Sequence, residues 1–402
     1  MSIELIWSTS AGIQLLERAT AIAEEAAYDP AATALRANKK LSDAAPELTR
    51  RAVEIVFTRR QAAFLGSWTA QGLFTRESIE QASHPTVAAH HAKKFSGCRH
   101  LLEVGCGIGS DTAAFARVCT RVTSFEKQEN IAVMARHNLA AQGIKNVEVI
   151  HADATVALSS FDMAAFDALW SDPARRDGGG NRVYNPNDWS PSLDFVLNLP
   201  CSGPRGIKIS PGSNLTLSPG VVREWIGLES ECVEQTLWRG TAVLDGTVFL
   251  ADAAYEWIPP ATSPEAEVFP IENAAGHWFV EPHAALIRSS HLSAFYHSQN
   301  FKLLDTHIAY GVSNTAPPTH PLYRAFKILE VFPYSLSTLN ERLQQRRWNT
   351  RTEIKKRGFS ETTDELRLKL KLLPPKDPAS SFGVIFVTRI GAAHFVILAE
   401  RI

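Results

Sequence analysis

Up to about residue 95 the apolar positions recur at helical spacing. Leu15, Ala19 and Ile22 share one helix face, and Ala52, Ile55 and Val56 share another further on. Tyr28-Asp29-Pro30 breaks the first run, and His84-Pro85 opens a later helix with proline at its first position. From His100 the period changes to strand and helix in alternation. "RHLLEV" reads as a strand, "SDTAAFARVC" as a helix, "RVTSFE" as a strand, and "ENIAVMARHNLAAQ" as a helix stopped by Gly143. "VEVIHAD", "FDALWSD" and "GIKIS" continue the strands, and "CVEQTLWRG" with "TAVLDGTVFLA" reads as a closing hairpin. Such alternation predicts an α/β fold, a largely parallel sheet with helices on both faces.

Residues 256–322 are irregular, punctuated by "WIPPATSPEAE" and "NTAPPTHP". The last module opens with "YRAFKILEVFPYS" and closes with two strand-like runs, "FGVIFVTRI" and "AHFVILAERI", joined at Gly391. The pattern therefore divides the chain into a helical region (1–95), a sheet domain (96–255), a connection (256–322) and a small α+β module (323–402). A length of 402 residues suits two or three cores.

Composition adds three constraints. No run approaches the roughly 18 apolar residues of a membrane span, and the N-terminus lacks the features of a signal peptide, so a cytoplasmic protein with no membrane partner is expected. The five cysteines are irregularly spaced and suggest free thiols, and the one histidine doublet, His90-His91, points about 100° apart on a helix, so no metal is expected. The net charge of −1 is unevenly spread: residues 323–402 hold 15 Lys/Arg against 8 Asp/Glu, a balance of +7, which leaves −8 for the rest. Between 342 and 357 lie Arg342, Arg346, Arg347, Arg351, Lys355, Lys356 and Arg357, with Trp348 among them. That stretch predicts an anionic partner, RNA first, with a solvated basic helix and a packing tryptophan as the plain alternatives.

The chemistry concentrates after the strands. Glu103-Val104-Gly105-Cys106-Gly107-Ile108-Gly109 follows an apolar strand and opens a helix. Glycines there let the backbone bend and approach a ligand. A dinucleotide fingerprint, G-x-G-x-x-G, would put its third glycine at Ser110; here it is Gly109. The form resembles motif I of class I S-adenosylmethionine-dependent methyltransferases, and the likeness extends to Asp111 just beyond the glycines. In that reading Glu103 and backbone carbonyls face the cofactor's ammonium. Glu126, with Lys127 beside it, stands about 20 residues on, where an acid binds both ribose hydroxyls. Asp153 and Ala154 follow the third strand at the position that meets adenine, and Asp153 alone also fits a helix cap. Asp172-Pro173 follow the fourth, so all four sites lie at consecutive carboxyl ends of the sheet.

In methyltransferases of exocyclic or ring amines the fourth loop reads D/N-P-P and an aromatic. This chain has Asp172-Pro173-Ala174-Arg175-Arg176, without the second proline or the aromatic. Arg175, Arg176 and Arg182 suit stacking on a base or forking onto phosphate, and Gly178 to Gly180 suit a loop that closes; an ion pair of Arg175 with Asp172 or Asp177 is the structural alternative. Carbon methylation through a cysteine does not fit, because Cys201 precedes the fifth strand and Ile209-Ser210-Pro211-Gly212 follows it. A nitrogen or oxygen acceptor positioned by Asp172 fits better, with Lys208 and Asp188 as further candidates.

Taken together, "LFTRESIEQASHPTVAAHHA", "LLEVGCGIGSD", "SDPARR", "NRVYNPNDWSP", "IKISPG" and "EIKKRG" make the chain resemble the bacterial class I methyltransferases with a C-terminal THUMP-like domain, over most of its length. The resemblance implies a Rossmann-like class I sheet, S-adenosyl-L-methionine as cofactor, and RNA modification, since THUMP domains proper bind tRNA ends. A small-molecule or protein substrate, or an RNA-binding protein with a relic fold, are the alternatives.

Overall fold

The computed structural model describes residues 6, 7, 9–175, 183, 185–262, 264–375 and 380–401. The chain divides into two compact units: residues 1–209, 215–222 and 236–243 form one, and residues 210–214, 223–235 and 244–402 the other.

The first unit begins with helices Ser10–Glu25, Pro30–Lys40, Pro46–Gln61, Arg76–Gln81 and Pro85–Lys93. Local chemistry starts them. Asp29 accepts from the Ala32 N–H at 2.7 Å and Pro30 fills the first helical position, while His84 caps the helix that Pro85 opens. The two expected apolar faces meet: Leu15, Ala19 and Ile22 share one buried cluster with Ala52, Ile55 and Val56.

The sheet of this unit holds β1 (His100–Val104), β2 (Arg121–Glu126), β3 (Val147–His151), β4 (Ala168–Ser171) and β5 (Arg205–Ile209), in the order β3-β2-β1-β4-β5. All four pairings are parallel. The order turns back at β1/β4, so the carboxyl ends of these two strands flank the crevice where open α/β sheets bind ligands. Leu102, Val104, Leu169 and Ile207 bury one face, and Phe95, Phe115, Trp170 and Trp238 pack on the other.

The expected closing hairpin is different. The run Val221–Leu228 is itself a strand, β6; it precedes β7 (Glu231–Arg239), and these two are the neighbours. Thr247–Leu250, β8, pairs with β6 in parallel, and β9 (Tyr255–Trp257) runs antiparallel to β8. Only two residues separate β6 from β7, and Glu229 takes a positive φ of 56° there, so the tight turn lies one strand earlier than the sequence pattern suggested.

Residues 256–322, expected as an irregular connection, carry strands β10 (Trp278–Pro282), β11 (Lys302–Asp305) and β12 (Ile308–Ser313) and helices Ala284–Arg288 and Leu292–Ser298. They join β13 (Tyr323–Pro333), β14 (Glu353–Arg357), β15 (Val384–Ile390) and β16 (Ala393–Arg401) in one sheet of order β11-β12-β10-β13-β16-β15-β14. Its pairs are antiparallel except β14–β15. Phe279, Tyr310, Phe326 and Phe386 centre its core, and helices Leu336–Gln345 and Thr363–Lys369 cover a second cluster of Leu339, Leu343, Trp348 and Leu366. No helix among the described residues is long and apolar enough to cross a membrane.

Candidate functional site

The glycine loop joins β1 to the helix Ser110–Phe115. Gly105, at φ 86°, donates its N–H to the Phe125 carbonyl at 2.9 Å, and a Cβ there would lie 2.6 Å from the Asp172 carbonyl oxygen. The first glycine is thus required by the close approach of the chain leaving β1 to the chain leaving β4. Gly107, at φ 52°, differs: no protein atom would come within 4 Å of its Cβ. Its N–H donates to Glu126 Oε2 at 3.1 Å, and the Gln128 N–H donates to Glu126 Oε1 at 2.9 Å. These contacts orient the acid at the end of β2. Burial nonetheless raises its pKa above the ordinary carboxyl value, against the pull of those N–H groups.

Glu103 is fully buried. The Ser124 hydroxyl donates to its Oε2 at 2.5 Å. Burial pushes its carboxyl up to about 8, with the Ser124 and Thr112 hydroxyls opposing the rise and the charges of Asp111 and Asp172 adding to it. Glu103 Oε1, Ser110 Oγ and Ser171 Oγ are buried without a hydrogen-bond partner among the described residues. Buried polar atoms normally find one. Such orphans beside a loop with free room above Gly107 suit a polar ligand with an ammonium and hydroxyl groups.

Asp153 caps the short helix Ala154–Ala157: its Oδ1 accepts from the Thr155 N–H at 3.0 Å and from the Thr155 hydroxyl at 2.6 Å. Its Oδ2 pairs with Lys127 Nζ at 2.9 Å. The Thr155 hydroxyl and Lys127 hold this carboxyl down at about 2. Ala154 is buried beside it.

Asp172 ends β4. Its N–H donates to the Val104 carbonyl at 3.1 Å, and its Oδ2 accepts from Lys208 Nζ at 3.0 Å. Burial raises its pKa, while Lys208 and then Arg175 favour the charged form. Lys208, on the fully buried strand β5, also donates to Ser83 Oγ at 3.0 Å. Ser83 in turn donates to Asp111 Oδ2 at 2.6 Å, and His91 Nδ1 lies 2.9 Å from Asp111 Oδ1. Burial works to raise the Asp111 pKa, but His91, Lys208 and Ser83 outweigh it and hold the carboxyl below its usual value. The expected cofactor residue Asp111 is therefore enclosed by side chains.

Ser83 was not singled out from sequence, and His91 was weighed only as half of a poor metal pair. The available signal was Lys208 itself, a cation between Ile207 and Ile209 on a strand buried throughout, which demands opposite charge around it.

Pro173 is buried, and Ala174 bridges to Ser190 by N–H to carbonyl contacts of 2.9 and 3.1 Å. The Arg175 carbonyl accepts from the Val183 N–H at 2.8 Å. The Arg175 charge favours the ionised form of Asp172, but the ion pair of the structural alternative is not among the described contacts. Arg176, Asp177, Gly178 to Gly180 and Arg182 lie outside the described residues. Asp188 accepts from Asn185 Nδ2 at 3.1 Å.

The basic stretch 342–357 differs from a free cationic surface. Arg342 and Arg346 both pair with Glu330, at 3.0 and 3.1 Å, and Lys355 pairs with Glu281. Lys356 donates to the Phe359 carbonyl, Arg351 lies over the Phe382 ring and Arg357 over the Tyr310 ring. Trp348 is 4% exposed and packs in the core, so it is not a stacking platform.

The family model described as THUMP domain-like matches residues 323–401, and that of protein-L-isoaspartate(D-aspartate) O-methyltransferase matches residues 71–175. An uncharacterised S-adenosylmethionine-dependent methyltransferase of Mycobacterium tuberculosis (strain CDC 1551 / Oshkosh) is 29% identical over 378 residues, covering 88% of this chain and 95% of that protein. A protein-L-isoaspartate O-methyltransferase of Methanoregula boonei is 39% identical over 75 residues, only 18% of this chain and 35% of that protein. The crystal structure of a methyltransferase-fold protein from Porphyromonas gingivalis W83 superposes with a TM-score of 0.72 at 19% identity, covering 96% of this chain and 98% of that one. The chain is therefore similar over most of its length to an S-adenosylmethionine-dependent methyltransferase, shares its fold with the Porphyromonas gingivalis structure, and matches a THUMP-like model at its C-terminal end.

Proposed function

We propose that the protein transfers a methyl group from S-adenosyl-L-methionine to a nitrogen of RNA, tRNA or rRNA, in the cytoplasm. The observation that carries the transfer is the position of Asp172. Its backbone touches the glycine loop at Gly105, and its carboxylate is set by Lys208 at 3.0 Å. When bound, the cofactor supplies an electrophilic methyl group on a sulfonium. Gly105, Gly107 and Gly109 give it backbone room, Glu103 offers the unpaired Oε1 to its ammonium, and Glu126 offers its remaining lone pairs to the ribose. Asp153 already has both oxygens engaged, so it serves by holding the turn at Ala154 and by keeping Lys127 at the adenine edge. Asp111 acts from behind the loop. Asp172 and the Pro173 backbone hold the acceptor amine, and Asp172 accepts its proton. Arg175 and Arg176 meet the RNA.

RNA as substrate is supported by the THUMP-like match and by the charge of +7 on residues 323–402. The internal pairing of Arg342, Arg346 and Lys355 favours a second reading, a protein or small-molecule acceptor. The isoaspartate methyltransferase match stops at Arg175 and spans the cofactor half only, so it does not choose between them. The deciding experiment is labelled-methyl transfer to total RNA from a strain lacking the protein, followed by nucleoside mass spectrometry, with the protein and small-molecule fractions assayed in parallel. Label in RNA, and RNA binding that weakens steeply with salt, is the expected result. Label confined to the other fractions would discard the RNA reading.

A further inference from the structure

We propose that Lys208 is the positioning residue for Asp172, and that the segment ahead of the first strand holds Lys208 in place through Ser83 and the His91–Asp111 pair. The proposal rests on the reading of Asp172 as the acid that receives the acceptor.

Lysine is rarely buried without partners. Lys208 is 7% exposed on a strand buried along its whole length. Its ammonium bridges Asp172 Oδ2 and Ser83 Oγ, each at 3.0 Å. Ser83 has one proton, and it points to Asp111 Oδ2 at 2.6 Å, which leaves the hydroxyl oxygen to accept from Lys208. Asp111 is fixed from its other side by His91, whose ring lies against Trp170 at 4.4 Å between centroids. A line of contacts therefore runs from the helix Pro85–Lys93, through the first turn of the helix after the glycine loop, to the acid at the end of β4.

The charges facing Asp172 decide what Lys208 does. Lys208 approaches from β5 and Arg175 from the loop of Asp172 itself; both favour the carboxylate. Asp111, from the helix Ser110–Phe115, opposes it, whereas Glu103 on β1 is held protonated by its burial and adds no charge there. Of the two cations, Lys208 has the direct hydrogen bond. Without it, the half-buried Asp172 would face Asp111 with Arg175 in support, and would hold its own proton more tightly. A protonated carboxyl donates, and so cannot accept the proton of an amine. Ser83 and His91 thus give the N-terminal helices a part in the chemistry of the sheet edge.

The test titrates Asp172 in the full chain by infrared difference spectroscopy, with the spectrum of Asp172→Asn subtracted to isolate its carboxyl band. In Lys208→Met the midpoint should rise by about one pH unit or more, the effect of removing an opposite charge at hydrogen-bonding distance. Lys208→Arg should bring it back toward the wild-type value. Ser83→Ala, which keeps the lysine but removes its contact with the Ser83 hydroxyl, should give a smaller rise in the same direction and carries the test if Lys208→Met does not fold. An unchanged midpoint in Lys208→Met or Ser83→Ala, with circular dichroism like the wild type, would overturn the proposal. A purely structural lysine would lower stability without moving this midpoint. Because the measurement needs no methyl acceptor, its failure is distinct from a failure to methylate RNA.

Discussion

Gly105 and Gly107 are two residues apart, both have positive φ, and the structure gives them opposite reasons for being glycine. An alanine at 105 meets a wall: its Cβ would lie 2.6 Å from the carbonyl oxygen of Asp172, a backbone atom that cannot rotate away. The left-handed conformation costs a side-chain-bearing residue about 1–2 kcal/mol. Forcing a methyl group into closed packing adds about 1–3 kcal/mol. Gly105→Ala should therefore destabilise the protein by about 2–5 kcal/mol. It should also displace Asp172. An alanine at 107 meets nothing within 4 Å, so only the conformational cost of about 1–2 kcal/mol applies. Its methyl group would instead occupy the room through which the cofactor approaches the loop. Chemical denaturation of the two variants, with calorimetric titration of S-adenosylmethionine into Gly107→Ala, separates the two effects. We expect Gly107→Ala to stay folded and to lose ten-fold or more in cofactor affinity, about 1.4 kcal/mol. Equal destabilisation by the two variants, or wild-type affinity in Gly107→Ala, would refute the idea that one glycine serves the fold and the other the ligand.

Other perturbations test the acids. Asp172→Ala should leave calorimetric cofactor binding within a few-fold of wild type while transfer is lost; retained turnover would remove Asp172 from its assigned role. Glu103, held up at about 8, carries its proton at neutral pH, whereas in the unfolded chain it ionises near 4.5. Its burial therefore costs stability progressively as pH rises from about 4.5 toward 8, and Glu103→Gln should flatten that slope in thermal melts. Cationic cofactor binding near pH 7 should release a proton from Glu103, read as a dependence of binding heat on the buffer, and Glu103→Gln should abolish that dependence. Asp153, held at about 2 against a usual 3.8, contributes stability above pH 4 that is lost as pH falls toward 2. The difference in melting temperature between wild type and Asp153→Asn should vanish over that same window, and a difference that persisted at pH 2 would count against the Lys127–Asp153 pair.

Much of this architecture was legible along the chain. The faces Leu15/Ala19/Ile22 and Ala52/Ile55/Val56 could be read because a helix brings residues three and four apart to one side, whatever it packs against. The sheet edge could be read for a similar reason. Parallel strands joined by helices all end on the same side, so Gly105, Glu126, Asp153 and Asp172 had to gather there once the alternation of elements was established. The strand Val221–Leu228 was missed because Arg223 and Glu224 interrupt its apolar run; the fold buries Glu224 all the same. Residues 256–322 looked irregular because their strands are short and bounded by proline.

Local spacing determined the class of fold and the order of the acids along one edge of the sheet. The tertiary structure alone decided which charges meet. Ser83 and Lys208 are 125 residues apart in sequence, and neither signals the other. Arg346 and Lys355 looked like a free basic surface because their counter-ions, Glu330 and Glu281, come from strands elsewhere in the chain. Periodicity is a short-range property that the backbone enforces by itself. The pairing of a buried charge is long-range, because a desolvated ammonium or carboxylate needs an opposite charge at about 3 Å, and only the folded chain determines which residue supplies it.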